Sequence, residues 1–263
     1  MQPRKPVMLV ASFGTSYADT RAQTLDVIER ELTEAFPDFE VRRAYTSDAV
    51  IRTLKKRDGI TVDSVPQALE RLIREGVSRV LVQPTHMMPG GEYDTLTVQS
   101  ESFRDGFQKL LIGTPLLNSE EDCALLAKIL DEKTCSLQRP DTALVWMGHG
   151  SERGGNECYT SLQQAFAALR KPHHLVGTVK GGAPVKQAQA LGVSRVVLLP
   201  MMMVAGAHAA HDMAGEEPSS WKNQFLQAGF QAECVRQGIG VYPEVRSMIL
   251  RHGEELAEIM NSR

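Results

Sequence analysis

The chain has 263 residues, 42% of them hydrophobic and 23% charged, with a formal net charge of −3 at pH 7. A chain this long buries about 70–75% of its unfolded surface and needs no staples to fold, while a mildly acidic balance without a basic cluster argues against nucleic acid as the main partner. Cys123, Cys135, Cys158 and Cys234 are scattered without a CxxC pair, and no apolar run approaches the roughly 20 residues of a membrane span, so we expect reduced thiols in a cytoplasmic protein with no membrane partner.

Taken in chain order, the pattern alternates short apolar runs with amphipathic stretches. Strands are expected at 7–12, 40–45, 78–83, 108–112, 143–147, 175–179, 195–199 and 231–235, and helices at 19–36, 48–57, 65–75, 93–106, 119–132, 156–170, 183–191, 219–228 and 242–260. Strands this apolar belong to a parallel sheet covered on both faces, and strand–helix alternation predicts right-handed crossovers in a doubly wound α/β fold. The segment IGTPLLNSEED (112–122) reads as a linker followed by a Ser119-x-x-Asp122 helix start.

The chain repeats itself. GVSRVLVQPTHMMPGGEYD (76–94) resembles GVSRVVLLPMMMVAGAHAAHD (192–212) at an offset that sets Pro84 on Pro200, Met87 on Met203, Gly90 on Gly206 and Glu92 on His208. A weaker echo links PVMLVASFGTS (6–16) to TALVWMGHGS (142–151); with Gly14 on Gly148, Thr15 falls on His149. We therefore expect two similar doubly wound lobes, residues 1–117 and 118–241, facing a central cleft. The helical tail, 242–263, should return to the first lobe.

Ligands of open α/β sheets bind beyond the carboxyl ends of the strands. The turn SFGTS offers Ser12, Phe13 and Thr15 before a helix start, suited to a carboxylate, although an ordinary strand–helix turn reads the same way. Neither GxxxxGK[ST] nor GxGxxG is present, so no nucleotide or organic cofactor is expected. His149 sits between Gly148 and Gly150, which would clear room for a large flat ligand; His208 and His211 stand three apart among small residues. If matched loops meet across a pseudo-twofold axis, Glu92 opposes His208 with His149 beside them. Two imidazoles and a carboxylate hold a divalent transition metal with positions left open, and move protons near neutral pH. Met87, Met88, Met201, Met202 and Met203 would make that cleft apolar, although core filling is the plainer role for them.

Together, VASFGTSY, RAYTSDAVIRTLKKRDG, VQPTHMMPGGEYD, MGHGS and MVAGAHAAHDMAGEEPSSWK resemble the anaerobic-type sirohydrochlorin cobaltochelatases, class II chelatases, over nearly the whole chain. The resemblance implies ATP-independent insertion of Co²⁺, the substrate metal, into the tetrapyrrole sirohydrochlorin on the route to cobalamin. It implies His149 and His208 as metal ligands, with His149 and Glu92 taking pyrrole protons. Arg52, with SFGTS, Met87 and Met88, would contact the substrate. One departure stands out. Where that family carries a glutamate after the strand HLVGTV, this chain has Lys180 in KGGAP. A protonated lysine beside a divalent metal is repulsive, so Lys180 should point away or have a lowered pKa, and His211 becomes a candidate substitute ligand. The alternatives are a chelatase of the same fold using Fe²⁺ or Ni²⁺, or a non-catalytic tetrapyrrole or metal carrier; a homo-oligomer is left open.

Overall fold

The computed structural model describes residues 4–262. The chain divides into two compact units. One takes the chain up to Leu116 and again from Arg246; the other is Leu117–Val245.

The first unit runs β1 (Val7–Ser12), α1 (Ala18–Gln23), α2 (Leu25–Ala35), β2 (Glu40–Tyr45), α3 (Asp48–Asp58), α4 (Val65–Arg74), β3 (Arg79–Pro84), α5 (Gly91–Glu101) and β4 (Lys109–Ile112). Its four strands are all parallel, in the order β2-β1-β3-β4. Every residue of β1 is buried, as expected of a central strand covered on both faces. On one face Val7, Leu9, Val80 and Val82 pack with Val65, Ala68, Leu69 and Leu72, the apolar stripe of α4. Leu69 is fully buried, and truncating it to Ala would cost about 2–5 kcal/mol. A capping box of Ser64 and Gln67, with Pro66 in the first turn, starts that helix.

The second unit runs α6 (Glu120–Lys133), β5 (Thr142–Gly148), α7 (Glu157–Ala168), β6 (His174–Thr178), α8 (Val185–Ala190), β7 (Arg195–Pro200), α9 (Trp221–Gln227) and β8 (Gln231–Cys234). Its sheet repeats the first: parallel strands in the order β6-β5-β7-β8. The Ser119–Asp122 capping box forms as the spacing predicted, with Ser119 Oγ 3.0 Å from the Asp122 amide. His174 is buried and stacks on Trp146 and on Phe166, with ring centroids 6.2 and 4.4 Å away. Its Nδ1 accepts the indole N–H of Trp146 at 3.0 Å.

The last helix, α10 (Pro243–Asn261), enters the first unit from Arg246 onward. There the Arg246 guanidinium is 2.8 Å from both carboxylate oxygens of Glu31 on α2. Lys109 donates to the carbonyls of Ile259, Met260 and Ser262, at the end where a helix dipole favours a cation.

Three sequence expectations need correcting. The helix expected at 19–36 breaks at Thr24, whose backbone leaves the helical region while its hydroxyl donates to the Thr20 carbonyl. The stretch expected at 93–106 ends as α5 at Glu101, and a separate 3₁₀ turn follows at Arg104–Gly106. The weaker echo is misaligned by two residues. Ala11 pairs with Pro84, and Met147 pairs with Pro200, so Gly14 corresponds to Gly150 and Phe13, not Thr15, corresponds to His149. The backbone agrees: Gly14 and Gly150 both have positive φ, 89° and 74°. A Cβ would meet Tyr45 at the end of β2 in the first case and Thr178 at the end of β6 in the second.

Candidate functional site

His149 stands on the turn after β5, partly exposed. Its flanking glycines have local reasons. A Cβ on Gly148 would lie 2.4 Å from the Tyr159 ring of α7, and Gly150 takes a left-handed conformation against Thr178. The space expected beside Gly148 is thus filled by Tyr159, and only the imidazole itself faces outward. Tyr159 is buried with its hydroxyl unpartnered among the described residues, and burial pushes its pKa up.

After β7, helical backbone resumes at Ala207 and passes into a π-turn, Ala209–Met213. The turn closes at Gly215, whose amide donates to the His211 carbonyl at 3.0 Å; a Cβ there would lie 2.3 Å from that oxygen. His208 sits at the start. Its ring centroid is 4.7 Å from that of His149, the planes at 65°. Its Nδ1 is 2.7 Å from Asp212 Oδ2. Sequence reasoning missed Asp212, though an acid four residues after a histidine on helical backbone is a readable signal. His211 is exposed. Among the described residues, no three of His, Cys, Asp and Glu gather in a group that could hold a metal ion.

The strand-end loops of the first unit are arranged differently. Ser12 and Thr15 are buried and used internally: the Thr85 hydroxyl donates to Ser12 Oγ at 2.9 Å, and the Tyr17 amide donates to Thr15 Oγ1 at 3.2 Å. Phe13 is 41% exposed, Arg52 is exposed on α3, and Glu92 is exposed in the first turn of α5. Met88 is buried and Met87 partly so. In the second unit Met201 and Met203 are buried, which bears out core filling for those two. His86 was not singled out from sequence. It is buried beside Thr46, with Nε2 3.4 Å from Thr46 Oγ1, and Nδ1 has no partner among the described residues. Burial pushes its pKa down to about 4.

Lys180 follows β6. Its amine lies 2.9 Å from Glu152 Oε1, both side chains well exposed. The hydrogen bond to that carboxylate raises the lysine pKa and lowers that of Glu152. Of the two expectations for Lys180, to point away or to have a lowered pKa, the second is reversed, because the amine has found an acid on the neighbouring strand-end loop.

The cobalt chelatase (CbiK) family model matches residues 6–258. The chain is 37% identical over 252 residues to the sirohydrochlorin cobaltochelatase of Salmonella typhimurium, covering 94% of this chain and 95% of that one. It is 34% identical over 254 residues to the sirohydrochlorin cobaltochelatase CbiKC of Nitratidesulfovibrio vulgaris, covering 94% and 89%. Its fold is similar to that of SirB from Bacillus subtilis, solved with Fe³⁺: the TM-score is 0.65 at 14% identity, over 97% of this chain and 96% of that one.

Proposed function

The chain belongs to the cobalt chelatase (CbiK) family, and from that premise we propose that it inserts Co²⁺ into sirohydrochlorin without a nucleotide, His149 and His208 serving as its metal-handling pair. The observation that carries this assignment of residues is the approach of the two imidazoles to 4.7 Å on adjacent strand-end loops. Imidazole nitrogen suits cobalt among the divalent transition metals, and two donors leave coordination positions for the incoming ring. Insertion replaces two pyrrole N–H protons by the metal, so the site must also accept protons. A neutral imidazole does this near neutral pH. We assign that step to His149, and keep Glu92, exposed in the first turn of α5, as a second candidate proton acceptor.

Substrate contacts are assigned to Phe13, an exposed apolar ring at the end of β1, and to Arg52 for a substrate carboxylate. Met87, partly buried after β3, is assigned to the same role as adaptable apolar surface. Ser12, Thr15 and Met88 are assigned to shaping these loops, since each is buried. His211, exposed at the π-turn, is kept as an additional donor during metal entry. Among the described residues no helix is long and apolar enough to cross a membrane.

The test is anaerobic absorbance of the purified protein with sirohydrochlorin and Co²⁺, beside His149→Ala. Conversion above the uncatalysed rate, lost in the variant, is expected. Tetrapyrrole binding without conversion by the wild type would overturn the enzyme reading in favour of a carrier. Faster conversion with Fe²⁺ or Ni²⁺ would reassign the metal.

A further inference from the structure

We propose that Asp212 is a positioning residue that fixes the tautomer and orientation of His208. The inference rests on the reading of His208 as a metal donor and adds the group that makes it one. An ionised carboxylate only accepts hydrogen bonds. At 2.7 Å from Asp212 Oδ2, His208 Nδ1 must therefore carry the proton. In the neutral ring Nε2 is then the bare nitrogen, whose lone pair can take Co²⁺. A carboxylate behind a ligating histidine also holds the plane of the ring, here at 65° to His149.

Two further observations support a role beyond holding the fold. The pair is four residues apart on one short turn, and the His208 and Asp212 side chains are 39% and 44% exposed. Such a pair contributes little to stability. In addition, the internal repeat that sets Glu92 on His208 sets Leu96 on Asp212. Leu96 is fully buried in the core of the first unit. The second unit carries an acid at the position where its duplicate packs a leucine, and that acid meets the histidine.

The experiment uses the full chain and Co²⁺ alone, with no tetrapyrrole. Calorimetry of wild type, Asp212→Ala, Asp212→Asn and His208→Ala gives the affinities, and long-range ¹H–¹⁵N NMR above the imidazole titration range gives the His208 tautomer. Losing such an outer partner typically weakens metal binding about 10–100-fold, which is the result expected for Asp212→Ala. Asp212→Asn keeps an acceptor oxygen and should lie between Asp212→Ala and wild type. The Nδ1–H tautomer should persist in Asp212→Asn and give way to Nε2–H in Asp212→Ala. In a His208→Ala background, removing Asp212 should cost nothing more.

Wild-type affinity in Asp212→Ala, with weakened binding in His208→Ala, overturns this inference alone. So does an unchanged tautomer, or an equal loss in the His208→Ala background. Wild-type affinity in His208→Ala overturns both this inference and the reading beneath it.

Discussion

The two units share one strand order, one parallel register and one pair of left-handed glycines, yet they place different chemistry at matched strand ends. After the first strand, one unit presents the Phe13 ring and the other the His149 imidazole. After the third, one presents Glu92 on a regular eleven-residue helix, and the other presents His208 immediately ahead of a π-turn. One step further, the buried Leu96 corresponds to Asp212 paired with His208. After the second strand, Ser47 accepts the Val50 amide and caps α3. Lys180, in the matching place, reaches for Glu152. The lesson is a division of labour within a duplicated frame. Buried strands and turn glycines answer to packing and are retained in both copies. The outward positions carry different residue types in the two copies, as the proposed ligand roles require.

The largest test of that division is the pair His149→Ala and Phe13→Ala. Removing a proton-accepting group costs about 10²–10⁴-fold in rate, so His149→Ala should lower kcat/KM by at least about 100-fold. Phe13→Ala should raise KM with kcat nearly kept. Steady-state insertion kinetics check both, and equal losses in kcat would break the assignment.

Acid should act on both units through buried histidines. Burial holds His86 in the first unit at about 4, and His174 in the second at about 4 despite the opposing carboxylate of Asp131. In the unfolded chain these rings titrate near about 6.5. Below that pH the unfolded state binds more protons than the folded one, so stability falls as pH falls. It should be fully present above about pH 6.5 and be lost down to about pH 4, by up to about 3 kcal/mol per histidine. Denaturant titrations across that range measure the slope. Replacing either histidine by Gln should flatten it by about half, and an unchanged slope in one variant would confine the effect to the other unit.

Gly14→Ala and Gly150→Ala should each cost about 1–3 kcal/mol, from a left-handed conformation and a contact under 3 Å. Similar losses would sharpen the equivalence of the two turns; a harmless Gly150→Ala would break it. The smallest effect is expected for Lys180→Ala. Exposed ion pairs contribute little and are screened by salt. Insertion rates at low and high salt should stay within about twofold of wild type. A larger gain in Co²⁺ affinity would show that the amine acts on the metal after all.

Much of the frame was legible in the sequence. Each of the eight strands begins and ends within one residue of its expected position, because an apolar run covered on both faces ends where burial ends. The strong repeat was legible because it spans a whole strand and its turn. The weaker echo was not aligned correctly, because two short apolar runs slide past each other without penalty until pairing to the next strand fixes the register. Gly148 was read as clearance for a ligand because Tyr159, eleven residues on, shows its contact only in three dimensions. His86 stayed hidden for the same reason: sequence does not show that a histidine in a turn is enclosed. Asp212 was legible in principle and was overlooked in favour of His211.

The route of α10 has a consequence for how the molecule is made. The second unit is one unbroken segment of chain, whereas the first closes only with Arg246 and the residues after it, through Glu31 and Lys109. Domains fold as units while synthesis proceeds from the N-terminus. Here the connectivity sets a different order: the unit whose strands come first in the chain is completed only by a helix that follows the whole of the second unit.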